Sequence, residues 1–221
     1  MGSDNLHSKR KAKSTDQRRK PNRETYDRIL IVCEDSKATP NYLKAIRDYL
    51  RLSTANIEIV GEECGSDPVS VVQHAKKLQQ AELNKNSEYD KVYCVIDRDQ
   101  HKKFSEAIKQ AKDNKIRVII STPCFEYWLL LHFKNTSSPY FNCAEVITAL
   151  KEHLPNYEKG QFFNAISYVE VLKPKEENAI TSAKQRAGEL LGVVNIYAEN
   201  PYTNMHELIE YLCKLKAAKT H

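Results

Sequence analysis

Four acidic side chains occupy positions from which a carboxylate can act on a ligand. Glu34 directly follows the apolar run Ile29-Leu30-Ile31-Val32-Cys33, Asp97 and Asp99 follow Val92-Tyr93-Cys94-Val95-Ile96, and Glu126 lies just after Thr122-Pro123-Cys124-Phe125. On an extended segment, residues i and i+2 point the same way, so Asp97 and Asp99 present their carboxyls together. If the strands carrying Glu34 and Asp97 are neighbours, three carboxylates converge. Charges that close repel and raise each other's pKa unless a cation neutralises them. An oxygen-only ligand set suits a hard divalent ion, Mg2+ or Mn2+, with Glu34, Asp97 and Asp99 as its ligands. Glu126 has two readings, a fourth catalytic acid or a carboxylate favoured at a helix N-terminus by about 0.3–1 kcal/mol.

The elements that must position these acids follow from hydrophobic periodicity. Ile29–Cys33, Ile57–Val60, Val92–Ile96 and Ile116–Ile120 are short β-branched runs that read as strands buried on both faces. Between them lie helical patterns. Leu43, Ile46 and Leu50 follow Thr39 as N-cap and Pro40 at the first helical position, Val69, Val72, Ala75 and Leu78 follow Asp67-Pro68, and Phe104, Ala107, Ile108 and Ala111 complete the third. Strands alternating with helices predict an α/β fold with a four-stranded parallel sheet flanked by helices, because a parallel pair needs a crossover. Functional residues gather at the carboxyl edge of such a sheet. Thr122 and Pro123 are expected to launch a helix over 125–133 that is apolar nearly all round and therefore buried. Beyond Asn135, helical patterns at about 143–154, 175–191 and 203–216 are separated by loops containing Pro139, Pro155, Pro174 and Pro201. Ile166–Leu172 is the one stretch there that reads as an edge strand. The expected organisation is a basic arm at 1–24, an α/β core at 25–135 and a mainly helical extension at 136–221 packed on it.

Charge and cysteine usage narrow the function classes. The formal net charge of +5 sits in residues 1–24, where Lys9, Arg10, Lys11, Lys13, Arg18, Arg19, Lys20 and Arg23 face only Asp4, Asp16 and Glu24. Such an arm is either an electrostatic tether for phosphates or a solubilising tail. The six cysteines contain no CxxC pair, the closest two being Cys124 and Cys143, which excludes zinc knuckles. With no run near the roughly 18 apolar residues of a membrane span and no secretory leader, the chain reads as cytosolic and its cysteines as reduced thiols without chemistry. Trp128 and His132 share a helical face and read as core packing. Lys102 and Lys103 after the Asp-x-Asp, and the polar loop with Asn200, Thr203, Asn204 and His206, are weaker candidates for phosphate contacts; Thr203 also reads as an N-cap. Arg18, Arg19 and Lys20 are the arm's candidate contacts. No Walker lysine loop is present, so the chain is not itself a P-loop NTPase.

Glu34 after an apolar strand, with Asp97-x-Asp99 ending a later one, resembles the Toprim domain of topoisomerases, primases and OLD-type nucleases. More narrowly, the chain resembles the RloB family of abortive-infection proteins. The resemblance is carried by residues 29–34, Thr39-Pro40-Asn41-Tyr42, Asp97-Arg98-Asp99, the block from Pro123 to Phe133, and Asn200-Pro201-Tyr202-Thr203. The chain departs from the family pattern at Asp35, where Gly is usual, and at Thr39, where a second acid is usual. The resemblance implies a Toprim-like core and a metal-dependent nuclease of phage defence, often encoded with an ATPase partner. Asp97 and Asp99 would hold Mg2+ against the scissile phosphate, with Glu34 coordinating the ion or serving as general acid/base. Analogy with related defence effectors favours structured RNA, tRNA included, with DNA as the other substrate class. The alternative is a non-catalytic module that binds an ATPase partner or a phosphorylated ligand, which the altered positions 35 and 39 favour.

Overall fold

A computed structural model describes residues 27–61, 65, 67–98, 103–159 and 167–218. Strand β1 (Ile29–Cys33) is buried along its whole length. Its side chains alternate between two cores, Ile29, Ile31 and Cys33 entering one and Leu30 and Val32 the other, as a strand covered on both faces requires. Helix α1 (Ala38–Tyr49) brings Tyr42, Leu43 and Ile46 to the first core. Helices α2 (Pro68–Leu83) and α3 (Phe104–Asp113) bring Val69, Val72, Phe104, Ala107 and Ala111 to the second. The molecule is thus layered helix, sheet, helix.

The sheet runs in the order β2-β1-β3-β4-β5. Strands β2 (Ile57–Val60), β3 (Lys91–Asp97) and β4 (Arg117–Thr122) join β1 in parallel. The chain leaves β1 toward β2 on one side and returns to β3 on the other. That reversal makes the gap beyond the carboxyl ends of β1 and β3 the switch point at which α/β sheets bind ligands. Glu34 and Asp97 flank it.

Several sequence expectations need correction. The sheet has five strands, because β5 (Tyr202–Thr203), from the segment read as helical extension, pairs antiparallel with β4 through Ser121↔Thr203 and Thr122↔Tyr202. Two residues are too few to leave a periodic signal. Strand β4 extends through Thr122, so this residue pairs in the sheet and caps no helix, and helix α4 is short (Glu126–Leu130), with turns over 131–133. The block is nonetheless buried from Phe125 to His132, with Phe133 half-buried. Helix α1 starts one residue before Thr39, and its entry is held by Asp35, whose carboxylate accepts from the N–H groups of Lys37, just before the helix, and Thr39, in its first turn. The stretch that read as an edge strand contains one π-helical turn, Tyr168–Leu172, leading through a 3-10 turn into α6 (Glu176–Glu189). Helices α5 (Cys143–Lys151) and α7 (Met205–Ala218) lie where the periodicity placed them. Cys124 and Cys143 form a disulfide, with Cα atoms 5.6 Å apart, because α5 packs against α4; the expectation of thiols throughout fails there, while Cys33 and Cys94 are buried and outside any disulfide. The basic arm lies outside the described residues. No described helix is long and apolar enough to cross a membrane.

Candidate functional site

The site is assembled from the ends of β1, β3 and β4. Register places Cys33 beside Val95, so Glu34 emerges level with the last residues of β3. The Glu34 amide continues the ladder by donating to the Val95 carbonyl at 3.0 Å. The Glu34 carboxylate turns across the gap, and its Oε2 accepts from the Asp97 backbone N–H at 2.9 Å. Asp97 in turn accepts from the Phe125 backbone N–H through Oδ1 at 2.9 Å, tying the end of β3 to the turn that opens α4. Two backbone amides therefore fix the two carboxylates, and neither depends on a flexible partner.

Glu126 stands behind this pair and has no exposed surface. Its Oε1 accepts from the Tyr157 hydroxyl at 2.9 Å and lies 3.8 Å from Lys159 Nζ, while Oε2 is 3.2 Å from Cys143 Sγ. Burial, and then the Glu126 charge, hold the Tyr157 hydroxyl protonated well above the usual range. The crowding of acids is felt most at Asp97. Burial first, and then repulsion from Glu126, Asp35 and Glu34, push its carboxyl well above the ordinary aspartate value, against the pull of Lys159. A half-buried, crowded carboxyl is the condition a bound cation relieves.

Close packing holds the β1–α1 turn in place. A Cβ on Gly61, at the end of β2, would sit 2.2 Å from Pro40 Cγ and 2.8 Å from the Asp35 carbonyl oxygen. Glycine is thus needed for β2 to pass beneath the turn that presents Glu34. Asp35 caps α1, and Thr39, where the resembling families carry an acid, is buried.

The other candidate residues are placed as follows. Asp99, Lys102 and the arm residues Arg18, Arg19 and Lys20 lie outside the described residues. Lys103 is exposed just before α3. Asn200 bonds both ways with the Tyr140 backbone, accepting at 3.2 Å and donating at 2.6 Å. Thr203 is buried, shares a hydrogen bond with Ser121 and accepts from the Met205 amide, but it lies in β5, two residues before α7, rather than at the N-cap position expected from the sequence. Asn204 extends the sheet by accepting from the Ile120 N–H at 2.7 Å and donating to the Val118 carbonyl at 3.2 Å. His206 is buried, and burial lowers its pKa. His132 is buried against Trp128, with Nδ1 3.1 Å from the Trp128 carbonyl.

Sequence reasoning missed Tyr157, Lys159 and the Cys124–Cys143 pair. Tyr157 and Lys159 come from a loop without periodicity, and the nineteen residues separating the cysteines match no ligand spacing. Among the described residues, the group of three or more His, Cys, Asp or Glu ligand atoms within 4.8 Å of one another is Cys124, Glu126 and Cys143. Glu34, Asp97 and Glu126 make no such tight set.

A model of the family described as RloB-like protein matches residues 29–212, the span from β1 to within α7. No curated protein and no solved structure matches the chain significantly.

Proposed function

The chain belongs to the RloB-like family, and from that premise we propose that it is a divalent-metal-dependent endonuclease of the Toprim type, hydrolysing phosphodiester bonds of nucleic acid as an effector of defence against phage. The observation that carries this reading is the meeting of Glu34 and Asp97 at the switch point of a parallel sheet, with Asp97 made hard to ionise by desolvation first and then by surrounding carboxylates. The donors are hard oxygens held by backbone amides, which fits Mg2+ or Mn2+. Glu34 and Asp97, with Asp99 beyond the described residues, are the proposed ligands. When bound, the ion supplies Lewis-acid stabilisation of charge on the phosphate oxygens.

The chain's own groups supply orientation and proton handling. Glu34 is aimed by the Asp97 amide and Asp97 by the Phe125 amide, so both stay fixed as charge develops. Hydrolysis adds a water oxygen to phosphorus, breaks the P–O ester bond and delivers a proton to the departing oxygen. Glu34 is the proposed acid/base for these transfers, and Glu126, held by Tyr157 and near Lys159, is the reserve candidate. Lys159, about half exposed, adds positive charge at the rim of the acid cluster. Structured RNA, tRNA included, is the proposed substrate class, with an ATPase as partner.

A second reading, a non-catalytic module that works with an ATPase, is favoured by the turn after β1. There Asp35 is committed to capping α1 and Thr39 is buried. One experiment separates the two. Wild type, Glu34→Ala and Asp97→Ala are incubated with tRNA, single-stranded RNA and duplex DNA in Mg2+, Mn2+ or EDTA, with and without any ATPase encoded beside the gene. Cleavage by wild type alone, abolished by EDTA, supports the nuclease; equal cleavage by all three proteins ends the assignment. No cleavage under any condition transfers support to the binding module.

A further inference from the structure

Behind the acid pair lies a second cluster of different chemistry. The Sγ atoms of Cys124 and Cys143 and a carboxylate oxygen of Glu126 all lie within 4.8 Å of one another, and Cys143 Sγ approaches Glu126 Oε2 to 3.2 Å. A tetrahedral zinc ion bonded at about 2.3 Å to sulfur and about 2.1 Å to a carboxylate oxygen separates those donors by roughly 3.6 Å. Cys124 and Glu126 are almost fully buried. The three residues come from the turn before α4, the start of α4 and the start of α5, elements packed against each other. Tyr157 holds Oε1 of Glu126, so the carboxylate presents Oε2 toward the sulfur. A hydrogen-bonded, oriented ligand carboxylate of this kind is typical of a metal site.

We propose that, when the Cys124–Cys143 disulfide is opened, Cys124, Cys143 and Glu126 bind a thiophilic divalent cation of the zinc type, as three protein ligands with a fourth position left for water. Opening requires an external dithiol. It gives two electrons and two protons to the S–S bond, itself becoming a disulfide, and leaves two thiols. Binding the cation then releases the thiol protons to solvent, because the thiolate is the ligand. In the disulfide each sulfur is bonded to the other and carries no thiolate charge, so the covalent bond and the cation exclude one another. Two thiolates and a carboxylate select a soft or borderline ion over Mg2+, which sets this site apart from the hard-oxygen pair of Glu34 and Asp97. Lys159, 3.8 Å from Glu126, offsets part of the surplus negative charge that three anionic ligands leave on a divalent ion. The inference does not rest on the nuclease reading; the two share Glu126 and its neighbours Tyr157 and Lys159.

The test uses full-length protein reduced with a dithiol, freed of it under argon, and titrated with Co2+ as a spectroscopic stand-in for zinc. The expected result is a thiolate-to-cobalt charge-transfer band with visible d–d bands of tetrahedral type, saturating at one ion per chain and bleached by Zn2+. The disulfide form shows none of this. Cys124→Ser and Cys143→Ser each weaken binding by about 100-fold or more, and Cys213→Ser, away from the cluster, leaves it unchanged. On unmodified protein, Zn2+ should shield Cys124 and Cys143 from iodoacetamide while leaving Cys213 reactive, as read by peptide mass mapping; this arm stands even if a serine variant fails to fold. Absence of the charge-transfer band in reduced wild type, its survival in both serine variants, or alkylation of Cys124 and Cys143 regardless of Zn2+ would overturn the proposal.

Discussion

Desolvation first, and then the charges of Glu126, Asp35 and Glu34, make the Asp97 carboxyl hard to ionise. A carboxyl whose folded-state pKa is raised favours folding while protonated, and that contribution is lost as pH rises through the folded value. At neutral pH the native carboxylate is therefore a destabilising group, a cost that the proposed cation would offset. Asp97→Asn keeps an oxygen to accept from the Phe125 amide and should raise the urea midpoint at pH 7, by about 0.5–2 kcal/mol in stability, while abolishing cleavage. A loss of stability would show that the carboxylate is held by compensating contacts. His132 runs the other way. Burial lowers its pKa from 6.5 to about 4, and since the Trp128 carbonyl can only accept, the proton sits on Nδ1 of a neutral ring. The unfolded chain takes up a proton near pH 6.5 that the folded one refuses until about pH 4, so stability present above pH 6.5 is lost between these values, by roughly 3 kcal/mol. His132→Phe should flatten that part of the stability-versus-pH curve, measured by urea unfolding at pH 7 and pH 4.5; an unchanged slope would place the acid sensitivity elsewhere.

Between elements, the site depends on two close approaches. Gly61→Ala would drive a Cβ into Pro40 and the Asp35 carbonyl. The β1–α1 turn must shift to accept it, at a cost of about 1–3 kcal/mol, and the shift moves Glu34 from the Asp97 amide. The expected outcome is a lower urea midpoint together with weaker Mn2+ binding by calorimetry; an unaffected midpoint would mean that the turn yields freely. At the other side of the sheet, Asn204 stands in for a strand beside β4. Asn204→Ala removes the acceptor of the buried Ile120 amide and should destabilise by about 1–3 kcal/mol, read in the same unfolding assay. The parallel strands and their helices were legible in the sequence because each buried run is continuous and each helix repeats its apolar residues at helical spacing. Glu34 and Asp97 were legible for the same reason, each marking the point where an apolar run ends. Their proximity was conditional on strand order, and adjacency of β1 and β3 meets that condition. What stayed hidden is what tertiary packing alone creates: the two-residue β5, the Cys124–Cys143 bond across nineteen residues, and Tyr157 and Lys159 arriving at Glu126 from a loop. The Asp35 cap was hidden differently, since Thr39-Pro40 made a stronger local start signal than the side chain that satisfies the amides.

For the whole molecule, a ligand that binds only the folded state stabilises it by mass action. At a hundred times its dissociation constant, Mg2+ or Mn2+ should add about 2.7 kcal/mol, a rise in Tm of about 5–10 °C for a chain of this size. Glu34→Gln and Asp97→Asn should each lose the rise. A shift that survives both substitutions would locate the ion away from the switch point, and this thermal measurement needs no substrate. The closing strand has a further consequence. Tyr202 and Thr203 seal the outer side of β4, and Asn204 completes its pairing, yet they follow it by some eighty residues of chain. On the ribosome, β1 to β4 emerge well before their last neighbour, leaving a bare strand edge open to annealing with other nascent chains until residues 202–204 follow. A premature stop after Glu126 but before position 202 would therefore yield a polypeptide that retains Glu34, Asp97 and Glu126 but keeps that adhesive rim, and it should accumulate in inclusion bodies.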